Sequence, residues 1–212
     1  MLEQVSRVGL LGVAVALVGS IIYVAWDRLF GDYRPAIQAQ DEENTKQVLV
    51  VGLDGAGKTS VLHSLSTNTV KRSHGPTAMF NSVCVKTEDA EIEFLEVGGS
   101  KSLRKCWSTY LPGSQALVYV VDSADRNQLP LAKRELHQLV RGHETLPVVV
   151  LANKQDIKGA CTISEIHEQL SLANLGDKRK LFLIGTHVAE DGSQIPTSMQ
   201  DAKELITQLV IY

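Results

Sequence analysis

Gly52-Leu53-Asp54-Gly55-Ala56-Gly57-Lys58-Thr59 reads G-x-x-x-x-G-K-[ST] and directly follows the apolar run Val48 to Val51. A strand, a glycine-rich turn and a helix in that order make an anion pocket. Glycines let successive backbone N–H groups turn inward toward phosphate oxygens, Lys58 supplies a fixed positive charge, and the Thr59 hydroxyl is placed to ligate magnesium. A helix is expected to begin at Lys58, with the positive end of its dipole facing the anion. Apolar residues at Val61, Leu62 and Leu65 carry helical spacing, which argues against a chance glycine-rich turn.

A phosphate cradle does not specify a base. Asn153-Lys154-Gln155-Asp156, which follows the apolar run Pro147 to Ala152, supplies that information as N-K-x-D. A carboxylate at Asp156 can accept two hydrogen bonds from the N1–H and exocyclic amine of guanine, and adenine offers no matching pair. Asn153 is expected to tie this loop to the phosphate loop, and the Lys154 stem to lie across the face of the base.

The bulk composition, 44% hydrophobic and 21% charged with a net charge of −3 over 212 residues, is that of a chain able to bury a sizeable core. It carries no basic field of the kind nucleic acid requires. Cys84, Cys106 and Cys161 are odd in number and lack a C-x-x-C pair, which fits buried thiols in a reducing compartment. The 6 histidines are scattered, with none at paired ligand spacing.

The N-terminus departs from this composition. Val8 to Trp26 runs without a charge, and as a helix rising 1.5 Å per residue it would extend roughly 28 Å, close to the hydrocarbon thickness of a bilayer. We expect residues 8–26 to form a transmembrane helix preceded by a short tail, 1–7. The run is longer than the apolar core of a signal peptide, and it ends in Tyr23, Trp26, Asp27 and Arg28 rather than small residues. Gly9, Gly12, Ala16 and Gly19 line one face with small side chains, a spacing that permits helix pairing. Residues 27–45, with Gly31, Pro35 and the cluster Gln40-Asp41-Glu42-Glu43-Asn44, read as a flexible polar tether. Arg7 before the span against Arg28 and Arg34 after it gives a slight bias toward a cytosolic C-terminal side.

From Lys46 to Tyr212 strand-like and helix-like segments alternate. Strands are expected at Gln47 to Val51, Ser82 to Thr87, Glu91 to Val97, Ala116 to Asp122, Val148 to Ala152 and Lys180 to Ile184. The wholly apolar stretches Leu117 to Val121 and Val148 to Leu151 suit central strands covered on both faces. Helical spacing marks Leu129 to Arg141, Ser164 to Leu172 after Thr162, and Ala202 to Ile211. The pattern predicts an α/β fold of the P-loop NTPase type in residues 46–212: a six-stranded, mostly parallel sheet with helices on both faces and the ligand at the carboxyl ends of the strands.

These residues together resemble the ADP-ribosylation factor-like branch of the Ras superfamily of small GTPases. The resemblance rests on Gly52-Leu53-Asp54, Pro76-Thr77 with Phe80-Asn81, Val97-Gly98-Gly99, Val121-Asp122-Ser123-Ala124-Asp125-Arg126 and Asn153-Lys154-Gln155-Asp156. The membrane span and the altered second switch look most like divergent members of that branch. The resemblance implies GTP and GDP as ligands with magnesium, held by Asp54, Gly55, Ala56, Gly57, Lys58, Thr59, Ser60, Thr77, Gly99, Asn153, Lys154 and Asp156. Thr59, Thr77 and Glu96 would serve the metal. Thr77 would close the first switch on the γ-phosphate, and Gly98 and Gly99 the second. The base-side loop aligns weakly, with His187-Val188-Ala189 in place of the usual small residues; by the resemblance Val188 would be the backbone contact to the guanine oxygen. Effector and regulatory proteins would read the two switches.

Three departures from the family pattern carry consequences. Glu96-Val97-Gly98-Gly99-Ser100 stands where the family has D-x-G-G-Q, so Ser100 replaces the glutamine that orients the attacking water, and slow hydrolysis is expected. Glu96 keeps the negative charge of the usual aspartate but is one methylene longer, which alters its water-mediated hold on magnesium. Leu2 stands where a myristoylated glycine would be, leaving a permanent span as the route to the membrane. The expected function is a membrane-anchored, guanine-nucleotide-dependent switch. Its rival is a pseudo-GTPase scaffold that holds nucleotide weakly or not at all. An efficient GTP-hydrolysing enzyme is disfavoured by Ser100, and a nucleoside kinase leaves Asn153 and Asp156 without a role.

Overall fold

The computed structural model describes residues 45–67, 79–87, 90–176, 179–188 and 195–212. The tail, the expected span at 8–26 and the tether as far as residue 44 lie outside them. Among the described residues no helix is long and apolar enough to cross a membrane.

Six strands build one sheet: β1 (Thr45–Val51), β2 (Phe80–Lys86), β3 (Glu91–Val97), β4 (Ala116–Asp122), β5 (Val148–Asn153) and β6 (Leu181–Gly185), in the order β2-β3-β1-β4-β5-β6. All neighbours are parallel except β2 and β3, which form an antiparallel pair. Among the described residues the longer helices that cover it are α1 (Lys58–Thr67), α2 (Leu129–Leu139), α3 (Ile163–Gln169) and α4 (Thr197–Ile211).

The period of two in an extended chain explains how two cores arise from one sheet. In β1, Leu49 and Val51 join Leu117, Tyr119, Val121, Val148 and Val150 on the face packed by Leu129, Leu136 and Leu139 of α2 and Ile166 of α3. Val48 and Val50 point the other way with Val118, Val120, Val149 and Leu151, meeting Val61, Leu62 and Leu65 of α1 and Met199, Ala202 and Ile206 of α4. Because β4 and β5 are covered on both sides, their sequences are continuously apolar. β2, at the sheet edge, alternates exposed and half-buried residues instead.

The chain leaves β1 toward β3 on one side and β4 on the other, so the strand order reverses beside β1. In such sheets a ligand sits outside the carboxyl ends of the strands beside the reversal. Gly52 lies at that point, and a Cβ on it would stand 2.1 Å from the Val120 carbonyl oxygen. Only glycine lets the phosphate loop leave β1 so close to β4.

Element boundaries moved where caps and breaks intervene. α3 is shorter than expected because Ser171 takes a left-handed conformation at φ 50° and turns the chain into the 3-10 segment Leu172–Leu175. α4 begins earlier, at Thr197, since Pro196 is preset for a helix start. β5 runs one residue further to include Asn153, and Thr45, assigned to the tether, belongs to β1. The short helical turns Leu103–Cys106, Trp107–Tyr110 and Leu111–Gly113 carry no periodic signal in the sequence. Of the three cysteines expected to be buried only Cys161 is; Cys84 is exposed because it lies on the edge strand β2, and Cys106 because it ends a turn that buries none of its residues.

At α3, the Thr162 side chain accepts from the Glu165 N–H and Glu165 reaches back to the Thr162 N–H, a reciprocal cap. The Thr162 backbone donor first, and the Arg126 guanidinium next, hold the Glu165 carboxyl down to about 2. A depressed carboxyl stabilises the fold above its unfolded pKa and loses that contribution as pH falls toward its folded value. Arg126→Ala is expected to raise the Glu165 titration midpoint, read by carboxyl-carbon NMR. The midpoint should stay below that of an unstructured glutamate because the backbone donor remains. An unchanged midpoint would exclude the Arg126 contribution.

Candidate functional site

The turn between β1 and α1 reaches its shape through Gly55 at φ 78° and Gly57 at φ 88°, left-handed conformations that glycine adopts without a Cβ penalty. Asp54 and Gly55 are exposed at its rim, and Ala56 is buried beneath it. Lys58 opens α1 with only 6% of its surface exposed, and its Nζ donates to the Leu53 carbonyl at 3.0 Å. The ammonium therefore lies folded over the loop. Burial lowers its pKa, and the nearby Glu96 and Asp54 carboxylates oppose that shift. Ser60, one residue beyond Thr59, is half-buried, and its carbonyl accepts from the Ser64 hydroxyl at 3.0 Å.

β3 delivers the second element. Glu96 is fully buried at the end of the strand, and the Thr59 hydroxyl donates to its Oε1 at 2.7 Å. The hydroxyl oxygen is thereby held beside the carboxylate. A hydroxyl beside a carboxylate is a hard, all-oxygen donor set suited to magnesium. No group of three His, Cys, Asp or Glu among the described residues could hold a metal by itself. Magnesium in such sites draws the rest of its ligands from phosphate and water, so the donors present fit it.

Gly98 and Gly99 follow. The Gly98 N–H donates to the Met79 carbonyl at 3.0 Å, and its own carbonyl accepts from Trp107 Nε1 at 3.0 Å. A Cβ on Gly99 would meet the Gly52 oxygen at 2.4 Å and the Asp54 nitrogen at 2.5 Å. The second switch therefore packs backbone to backbone against the phosphate loop. Ser100 turns away from this contact: its hydroxyl lies 3.0 Å from that of Ser102 and accepts from the Leu103 N–H at 3.4 Å, while its carbonyl accepts from the Arg104 N–H.

The base-side loop comes from the ends of β5 and β6. Asn153, 2% exposed, donates from Nδ2 to the Ala56 carbonyl at 2.9 Å and accepts at Oδ1 from the Thr186 hydroxyl at 3.3 Å. A Cβ on Gly57 would sit 2.5 Å from Asn153 Nδ2, so the missing side chain is what admits the bridge. Lys154 stands at φ 65° with Nζ 2.5 Å from Asp122 Oδ2. Asp156 is exposed at the mouth of the loop, open to a base edge. The Gln155 N–H donates to the Thr186 carbonyl at 3.1 Å.

Of the site residues expected from sequence, Asp54, Gly55, Ala56, Gly57, Lys58, Thr59, Glu96, Gly99, Asn153, Lys154 and Asp156 all lie at the carboxyl edge of the sheet. Thr77 falls outside the described residues. Val188 is half-buried and packs against the apolar cluster on the α1 and α4 side. Thr186 and Asp122, which brace Asn153 and Lys154, were not foreseen as site residues. A hydroxyl residue directly after the apolar strand Leu181–Gly185 was the available signal for Thr186.

Asn153→Ala is expected to leave the buried Ala56 carbonyl and Thr186 hydroxyl unmatched, at a cost of about 1–3 kcal/mol. Gly57→Ala should be at least as damaging, because it adds the Cβ clash to a strained φ. Thermal and urea unfolding of the two variants measures both, and wild-type stability in Asn153→Ala would remove the bridge from the account.

Comparison with known proteins agrees with this geometry. The family model described as Arf, the ADP-ribosylation factor family, matches residues 35–205. ADP-ribosylation factor-like protein 9 from Homo sapiens is 56% identical over 171 residues, spanning 81% of this chain and 91% of that protein. ADP-ribosylation factor-like protein 10 from Mus musculus is 35% identical over 212 residues, 86% of this chain and 87% of that protein. Among solved structures, the Arl6 BBS3 small GTPase from Trypanosoma brucei, with the bound nucleotide analogue GppNp, shares the fold with a TM-score of 0.65. It is 24% identical and is covered over 78% of this chain and 99% of its own. The chain belongs to the ADP-ribosylation factor family of small GTPases.

Proposed function

We propose that the protein is a membrane-anchored guanine-nucleotide switch whose own hydrolysis of GTP is slow. The observation that carries the nucleotide reading is the Asn153 bridge, which places the Lys58 cradle and the Asp156 carboxylate on one edge of one sheet. In that arrangement the inward N–H groups of residues 55–59 bind phosphate oxygens and Lys58 leaves the Leu53 carbonyl to meet them. Asp156 reads the guanine edge, and the Lys154 stem covers the base. Magnesium, when bound, neutralises the phosphate charge. Thr59 and Glu96 would hold it, and Thr77 would join them from the first switch.

Gly98 and Gly99 link nucleotide state to surface shape. The Gly99 backbone sits against the phosphate loop, so an added γ-phosphate must be met by movement there, and effector or regulatory proteins read the result. Slow hydrolysis follows from Ser100, whose short hydroxyl is engaged with Ser102 and Leu103 rather than reaching toward the phosphate loop. Positioning of water accounts for much of the catalysis of phosphoryl transfer, and this side chain supplies little. The uncharged run 8–26 is proposed to hold the protein permanently on a membrane with the nucleotide domain in the cytosol, so that nucleotide state changes which partner binds and not where the protein resides.

Protein purified at its full length is expected to carry guanine nucleotide, with GTP in excess of GDP, and Ser100→Gln should accelerate single-turnover hydrolysis by roughly tenfold or more. Nucleotide-free protein with no measurable affinity for GTP or GDP in magnesium would favour the scaffold reading instead. Carbonate extraction of membranes should leave the intact chain in the pellet, and its release to the supernatant would sink the anchor.

A further inference from the structure

We infer that Asp122 is a positioning residue for guanine binding, anchoring the Lys154 ammonium so that the lysine stem is stretched along the base site before any nucleotide arrives. This rests on the nucleotide reading proposed above and adds a residue that the phosphate cradle and N-K-x-D do not contain. Asp122 ends β4 in register with Asn153 on β5. Its two carboxylate oxygens do different work: Oδ1 accepts from the Ala124 N–H at 2.9 Å, which fixes the side chain, and Oδ2 pairs with Lys154 Nζ at 2.5 Å.

The pair differs from an ordinary surface contact. The Asp122 side chain is 15% exposed and that of Lys154 31%, so water and salt screen it less than a pair on open surface. The backbone at Lys154 is held independently. Its left-handed φ of 65° is a conformation that persists in a lysine only when neighbours impose it. Here the neighbours are the Ser123 N–H donating to the Asn153 carbonyl at 3.0 Å and the Gln155 N–H donating to the Thr186 carbonyl at 3.1 Å. Both ends of the lysine are thus fixed by β4 and β6. A four-carbon stem held at both ends has lost its rotamer freedom in advance, and that preorganisation should slow nucleotide release rather than simply stabilise the fold. Asp156, two residues along the same loop, gains a fixed bearing on the base edge.

The test is dissociation of a fluorescent GDP analogue from the full-length chain in magnesium. Asp122→Asn keeps an oxygen for Ala124 but removes the charge, and it should release nucleotide roughly tenfold faster. Lys154→Met keeps the stem without the ammonium and should show a similar rise, with the double variant no faster than Lys154→Met alone. Thermal unfolding of the nucleotide-free proteins should be unchanged by Asp122→Asn, a result that separates positioning from a structural role. Release from Asp122→Asn within twofold of wild type, or a further rise in the double variant, would overturn the assignment. Should Asp122→Asn fail to fold, wild-type release from Lys154→Met overturns it equally. A wild-type chain that binds no guanine nucleotide would instead sink the proposed function and this role with it.

Discussion

One buried side-chain amide, that of Asn153, carries the site. It spans from the end of β5 to the Ala56 carbonyl in the phosphate loop, two segments 97 residues apart in sequence, and it is itself held by Thr186 just beyond β6. Buried polar groups cost free energy unless they are matched, so the amide constrains three loops at once. The glycine at Gly57 is the matching concession on the opposite side, since a methyl group there would occupy the space of the amide nitrogen. Without this contact the phosphate loop and the Asp156 carboxylate would still exist, but no fixed distance would relate them.

A second constraint ties the switch to the core. Trp107, 1% exposed, donates to the Gly98 carbonyl and packs edge-on against Tyr119 with ring centroids 6.2 Å apart. The Tyr119 hydroxyl in turn donates to the Ala132 carbonyl of α2 at 2.9 Å. Burial drives the Tyr119 phenol well above its usual pKa, so it stays protonated and remains a donor. Gly98, which is proposed to respond to a γ-phosphate, therefore connects through aromatic packing to a helix on one face of the sheet. A local backbone change at Gly98 would be felt there, because close-packed interiors shift between discrete arrangements rather than yield gradually.

The sheet was legible in the sequence to within a residue or two at most strand ends, because each strand is either continuously apolar, as β4 and β5 are, or bounded by glycine and polar residues. The helical turns from Leu103 to Gly113 were not. Their buried residues, Trp107 and Leu111, are separated by short stretches of polar residues that carry no sustained period, and their folding depends on tertiary contacts such as the Trp107 bond to Gly98. The break in α3 at Ser171 was equally invisible, since a serine at φ 50° is chosen by the burial of Leu170 and Leu172 on either side of it and not by its own preference.

By itself the sequence determined the chemistry: G-x-x-x-x-G-K-T and N-K-x-D name an anion and a purine edge because spacing alone sets which backbone and side-chain groups can converge over a few residues. The resemblance to the family adds that Ser100 stands where a glutamine would be expected. Tertiary structure decided how those groups are aimed. The Thr59 contact with Glu96, the brace from Thr186 to Asn153 and the Asp122 pair with Lys154 each join residues at least 32 positions apart in sequence, on different elements. Such contacts depend on strand order and register, which the parallel sheet fixes only once both of its faces are buried.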